Sequence, residues 1–347
     1  MRALTLIVAD CAILATCAVL AAQPKTLFYM NDSPASIRSF QANAERIDII
    51  APTVYSVDAA GLVWGKPDSR VLETARKFHV AVMPLIVNPG FKQDMIHALM
   101  TSAEARRRMN ATLLAERRKY RYYGIQFDFE NVNYLDRDLL TAMVQETSAA
   151  LGREGFKLSI ATVPNEGDEP GKSDYTRWVF QNWRGAFDLK KLAPYVDFVS
   201  LMTYDQHTRN TPPGPVAGMQ WVEKLAAYAE SQMPKEKISL GIALYGRRWS
   251  AGMRDKDPAI AASTIYAADA LELAKAMDAA VQWDPVEHAP WFYFYREGIR
   301  EYVFFNDAHS FVDRYEMARQ RGLHGTSAWV LGSEDPELWR SLPVRKP

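Results

Sequence analysis

Cysteine is nearly absent from the 347-residue chain, which has only Cys11 and Cys17, both close to the N-terminus. No disulfide framework can hold the remainder together, so its stability has to come from a packed core. An excess of one charge is missing too. The 41 Lys and Arg balance the 41 Asp and Glu, which leaves no basic surplus for nucleic acid and no acidic tail. Beyond the N-terminal segment no apolar run reaches about 18 residues, the length a membrane-spanning helix needs. Tandem repeats and low-complexity linkers are lacking as well, so one domain with embellishments fits better than a string of modules. The six histidines form no HExxH or other metal-spaced pair, which argues against a metal hydrolase. No glycine-rich dinucleotide turn follows any strand-like run. The stretch GDEPGKS, Gly167–Ser173, shares letters with a phosphate-binding loop, but it is one residue short between its glycines, and Glu166 stands where glycine is needed. No metal and no cofactor are expected.

What is present starts with MRALTLIVADCAILATCAVLAAQPK, a short basic start, an apolar stretch and a small-residue exit. This is the pattern of a secretory signal peptide over residues 1–22, although Asp10 interrupts the apolar run. An uncleaved membrane anchor is the main alternative. LATC, Leu14–Cys17, also resembles a lipoprotein cleavage box, with Thr16 larger than the usual residue. The expectation is an exported protein, in the periplasm, at the cell surface or outside the cell, whose domain covers residues 26–347.

From there the chain keeps a regular beat. Apolar, β-rich runs occur at Thr26–Met30, Ile47–Val57, Val80–Asn88, Tyr123–Val132, Lys157–Pro164, Val196–Asp205, Ile238–Gly246 and Gly325–Gly332. Helix-compatible stretches such as Arg137–Gly155 and Gly218–Met233 separate most of them. Near-continuous apolar strands alternating with helices indicate a parallel sheet covered on its faces. Eight such units predict an α/β fold of the (β/α)8 barrel type, in preference to an open doubly wound sheet. The beat breaks once. Strand seven is read as ending near Trp249, yet the next clear helix, Ser310–Gly322, starts far downstream. The gap holds AADALELAKAM and PWFYFYREGIREYVFFND, which suit a small α+β insertion over about 250–307, with Trp291 or Tyr293 walling the upper edge of a cleft.

YYGIQFDFENV, Tyr122–Val132, carries two acids in an otherwise apolar run. In a strand, Asp128 and Glu130 share one face with Cα atoms roughly 6.5–7 Å apart. Walled by Ile125, Phe127 and Phe129, they are costly to ionise together, and such pairs are the usual material of acid/base chemistry. The plainer reading is a strand end emerging into solvent. In a barrel, function sits at the C-terminal strand ends. Tyr204 and Asp205 on strand six, Tyr245 and Arg247 on strand seven and Trp329 on strand eight also fall there. Taken singly, each is better explained by core packing or a local ion pair. Together at one rim they suit a carbohydrate, whose hydroxyls are bound by acids and whose faces stack on aromatic rings.

YGIQFDFE resembles the strand-four signature of glycoside hydrolase family 18, the chitinase-like barrels, written D-G-x-D-x-D-x-E. LMTYD (Leu201–Asp205), LGIALYGRRW (Leu240–Trp249) and HGTSAWVLG (His324–Gly332) resemble that family's strands six, seven and eight. FENV and SEDPELW are most similar to its bacterial cell-wall and spore-cortex N-acetylglucosaminidase branch. The resemblance implies a retaining, substrate-assisted glycoside hydrolase, with Glu130 as general acid/base, Asp128 holding the acetamido group and Tyr204 bonding its carbonyl. Gln126, Met202, Asp205, Tyr245, Arg247, Trp329 and Tyr55 complete the candidate substrate-binding set. A carbohydrate polymer containing N-acetylglucosamine is the expected partner, with no nucleic acid, no obligate protein partner and a monomeric state. The first two Asp of the signature are Tyr123 and Gln126 here. Gln126 can donate a hydrogen bond to Asp128 but cannot take up charge. A non-hydrolytic sugar-binding protein on the same barrel is the alternative; such proteins typically lack the acid, and Glu130 is present.

Overall fold

The computed structural model describes residues 23–250 and 262–345. The expected export signal, residues 1–22, and the beginning of the expected insertion lie outside the described residues. Eight parallel strands close into a ring: β1 (Lys25–Met30), β2 (Ile49–Val57), β3 (Leu85–Val87), β4 (Gly124–Asp128), β5 (Lys157–Thr162), β6 (Phe198–Leu201), β7 (Ile238–Ala243) and β8 (Gly325–Trp329). Closure is direct, since β8 pairs with β1 from Lys25↔Gly325 to Phe28↔Ala328. The fold is therefore a (β/α)8 barrel. The run expected at Val80–Asn88 splits into Ala81–Val82 and Leu85–Val87, because Pro84 between them has no N–H for a ladder.

Alternation along each strand decides what faces where. Ile125 and Phe127 on β4, Leu158 and Ile160 on β5 and Leu240 on β7 point outward, packing against helix residues such as Leu113, Leu140, Val144 and Val222. Helix Arg137–Gly152 shows why it fits there: Leu140, Met143, Val144, Thr147 and Leu151 recur at helical spacing and are all buried. The sequence puts Ile125, Phe127 and Phe129 around the two acids. In the structure they belong to the outer layer, on the opposite side of the strand from Asp128.

The other parity points inward. Leu27, Ile49, Ala51, Leu85 and Phe198 form an apolar layer inside the barrel. Elsewhere the interior is polar but neutral. Gln126 Nε2 donates to Ser159 Oγ (2.7 Å) and Ser200 Oγ (2.9 Å). The hydroxyl of Tyr29 donates to Gln126 Oε1 (2.8 Å). Ser327 Oγ then links Ser200 (2.8 Å) to Ser239 (2.6 Å). Five strands thus contribute side chains to one buried hydrogen-bonded plug, with a sixth adding Tyr29.

Strand β7 ends at Ala243, not near Trp249. Gly246–Trp249 is a separate strand of a second, antiparallel sheet of five strands, in the order Ala262–Ile265, Gly246–Trp249, Ile299–Phe304, Ala289–Arg296, Gln282–Asp284. The hairpin Ala289–Arg296/Ile299–Phe304 turns on Glu297 and Gly298, both with positive φ, the two-residue turn whose twist matches the strands. Helix Ala267–Ala276 covers one face of this sheet through Ala270 and Ala274 against Phe292, Phe294 and Val303. The sheet lies between β7 and helix Ala308–Arg321 in the chain.

Gly246 is where the two sheets part. A Cβ at this position would stand 2.2 Å from the backbone oxygen of Phe304 and 2.4 Å from Phe305 Cα. Backbone cannot yield as a flexible side chain does, so Gly246→Ala is expected to cost about 1–3 kcal/mol. Urea unfolding of the two proteins checks this; equal midpoints would show that the sheets separate without strain.

Candidate active site

A cleft of about 810 Å³ opens at the C-terminal ends of the barrel strands. Asp128, the last residue of β4, and Glu130, just beyond it, both line this cleft. The strand stops there because Asn131 takes a positive φ of 55° and turns the chain. Two hydrogen bonds from a neighbouring strand fix the turn. Asn88, after β3, donates through Nδ2 to the Glu130 carbonyl (2.8 Å) and accepts from the Glu130 amide on Oδ1 (3.0 Å). Asn88 is fully buried, so this clamp holds the backbone of Glu130 rather than its carboxyl group.

The two acids experience an environment far from water. Burial pushes Asp128 above the usual carboxylate range, and its Oδ1 is sealed from solvent with no hydrogen-bond partner among the described residues. Glu130 is raised further, first by burial and then by the negative charges of Asp128 and Asp205. A carboxyl group in that position holds its proton near neutrality, as a general acid requires. Tyr204 and Tyr245 also line the cleft, their phenols raised by burial. Asp205, with a positive φ of 61°, accepts from the Tyr245 hydroxyl (2.9 Å) and from Arg247 (2.5 Å). Met202 and Trp329 complete the rim residues that the sequence places here.

Three expectations fail. Tyr55 does not reach the cleft. Its register partner shifts by one residue between Thr53 and Tyr55, a bulge that leaves Thr53 facing the cleft and turns Tyr55 outward. There its hydroxyl donates to Glu116 (2.6 Å) and contacts the hydroxyl of Tyr122 (2.9 Å). Gln126 lies one inward position below Asp128 and spends its amide on Ser159, Ser200 and Tyr29, so it touches neither Asp128 nor the cleft. Trp291 and Tyr293 do not line the cleft. Trp291 stacks on Phe304 (5.6 Å between ring centroids) and on Tyr293, and the second sheet reaches the cleft through Arg247.

Several lining residues are not foreseen from the sequence: Tyr29, Asn88, Tyr175, Trp178, Trp183, Arg184 and Trp221. Tyr29 carries a usable signal, since it shares inward parity with Leu27 on β1. The aromatic density of DYTRWVFQNWRG is the other signal, because tyrosine and tryptophan side by side are costly to leave on a surface without use.

A parallel barrel whose mouth combines a buried acid pair with tyrosines and tryptophans defines a carbohydrate-active enzyme. The chain belongs to the glycosyl hydrolases family 18, whose pattern matches residues 54–334. It is 30% identical over 281 residues to the cortical fragment-lytic enzyme of Bacillus cereus, a match that takes in 78% of this chain and 62% of that one. The chain thus spans less than two thirds of that relative's length. In fold it is similar to the spore cortex-lytic enzyme SleL of Bacillus cereus, with a TM-score of 0.83, 24% identity and coverage of 93% of this chain and 74% of the other. Its fold is also similar to that of a chitinase from Chromobacterium violaceum, with a TM-score of 0.82, 24% identity and coverage of 92% and 98%.

Two outcomes follow from this geometry. The negative charge of Asp128 opposes ionisation of Glu130, so Asp128→Asn is expected to lower the Glu130 titration midpoint. Infrared titration of the carboxyl bands in both proteins reads this, and an unmoved midpoint contradicts it. Gln126→Leu is expected to strand the hydroxyl of Ser159 and to take one partner each from Ser200 and Tyr29, at a cost of about 1–3 kcal/mol for the unmet group. Urea unfolding measures the loss, and full stability would mean the plug carries no weight.

Proposed function

We propose that the protein hydrolyses β-1,4 linkages next to N-acetylated amino sugars, in peptidoglycan or chitin-type polymers, with retention at the anomeric carbon. The observation that carries this reading is the acid pair: Glu130 raised by burial and by Asp128, and Asp128 with a buried, unpartnered Oδ1. The family is an exception to the two-carboxylate scheme because the substrate supplies its own nucleophile. Glu130 gives its proton to the glycosidic oxygen while the carbonyl oxygen of the 2-acetamido group bonds to the anomeric carbon, and the glycosidic C–O bond breaks. Asp128 accepts the acetamido N–H through Oδ2, its oxygen on the cleft side, and offsets the positive charge of the oxazolinium formed. Tyr204 donates to the acetamido oxygen, and Trp329 floors the sugar ring. Glu130, now a carboxylate, takes a proton from the water that attacks the anomeric carbon from the opposite face, which reopens the oxazolinium and restores the acetamide. Asp205, held by Tyr245 and Arg247, supports this side of the site. An acid in place and held protonated favours hydrolysis over sugar binding alone. Residues 1–22 direct export in this reading, so that domain 26–347 meets its polymer outside the cytoplasm.

Glu130→Gln is expected to lower kcat by about 10²–10⁴-fold while sugar binding persists. Proton NMR of the first products from a chito-oligomer should show the β-anomer with the wild-type protein. Retention of more than a tenth of the activity by the variant, or an α-anomer as first product, removes this mechanism.

A further inference from the structure

Three arginines and three acids line the cleft, and among them only Arg247 and Asp205 are paired. Arg247 is paired with Asp205 (2.5 Å), but Arg184 and Arg209, which also line the cleft, form no ion pair and no side-chain hydrogen bond among the described residues. Arg209 is exposed, where solvent can satisfy it. Arg184 is not. Its guanidinium is half-buried in the cleft wall, and its Nε is sealed from solvent without a partner. The neighbouring acid, Glu166, accepts from Trp221 Nε1 instead (3.0 Å). Burial pulls Arg184 below the ordinary arginine range, yet a guanidinium stays charged at any physiological pH. Taking a cation out of water is costly, and Glu166 and Tyr175 nearby offset only part of that cost, since burial still outweighs them. A planar guanidinium matches a carboxylate with two parallel hydrogen bonds.

We propose that Arg184, assisted by Arg209, forms an anion-binding subsite that recognises a carboxylate carried by the sugar chain. Its ligand class is a glycan of N-acetylated amino sugars bearing a carboxyl-ended ether, as the lactyl group of N-acetylmuramic residues does. Unsubstituted N-acetylglucosamine polymers have no such group and leave the subsite with water. The proposal rests on the hydrolytic reading above and narrows its substrate.

The test reads binding, so that it does not depend on turnover. Dissociation constants are measured by calorimetry on Glu130→Gln and on the double variant Glu130→Gln/Arg184→Gln. The probes are peptide-free peptidoglycan strands with free lactyl carboxylates, the same strands with the carboxylates converted to methyl amides, and chito-oligomers of matched length. Replacing Arg184 should weaken binding of the carboxylated strand by about tenfold more than binding of the other two, a factor set by the strength of a charged hydrogen bond. Equal weakening on all three probes would make Arg184 a structural residue, and unchanged binding would leave it idle; either result overturns the proposal. Hydrolysis of the three probes by the wild-type protein is scored separately: absence of cleavage fails the hydrolytic reading, and the binding ratio still decides the role of Arg184.

Discussion

Burial of two carboxyl groups at the end of one barrel strand is the constraint on which the site depends. Neither Asp128 nor Glu130 has a cation beside it among the described residues, so burial raises both, and the charge of Asp128 raises Glu130 further. The cations in the cleft sit elsewhere, with Arg247 engaged by Asp205. Had Arg247 faced Glu130, it would have pulled the proton off. The arrangement keeps opposite charges apart where pairing would be ruinous and joins them where it only builds the wall.

Closure of the ring makes this burial possible. Eight strands leave an interior just wide enough for side chains to fill, so any inward residue near the C-terminal end stands at the mouth with packed atoms beneath it. Parity does the sorting. Gln126 and Asp128 share the inward face of β4, and only the upper one reaches the cleft. Asn88, supplied by the neighbouring strand, then fixes the backbone where β4 ends, so Glu130 projects from a turn held at both its amide and its carbonyl.

The barrel and the acid pair are legible in the sequence because each leaves a local trace. Apolar runs at regular intervals reveal buried parallel strands, and two acids within one such run are out of place unless used. Tyr55 is misplaced by sequence reasoning because a bulge is decided by the partner strand, and nothing in the letters of β2 marks it. Trp249 is misplaced for a related reason: two strands from different sheets follow one another with only Leu244 and Tyr245 between them, so a single apolar run spans both. Gln126 falls in the expected layer but has a different neighbour, since hydroxyls on β5 and β6 compete for its amide and win. Asn88 and Arg184 carry no signal in isolation. Their roles arise from what the fold brings beside them.

The serine plug has a further meaning for the charged states above it. Hydroxyl protons are free to rotate, and Ser159, Ser200, Ser239 and Ser327 are joined through Gln126 and one another. The run Ser200–Ser327–Ser239 can reverse its donors and acceptors together, whereas Gln126 Nε2 donates only. Hydrocarbon in the same place would respond only through its electrons. These three hydroxyls give the centre of the barrel a few orientable dipoles that carry no charge and stay in place when substrate arrives.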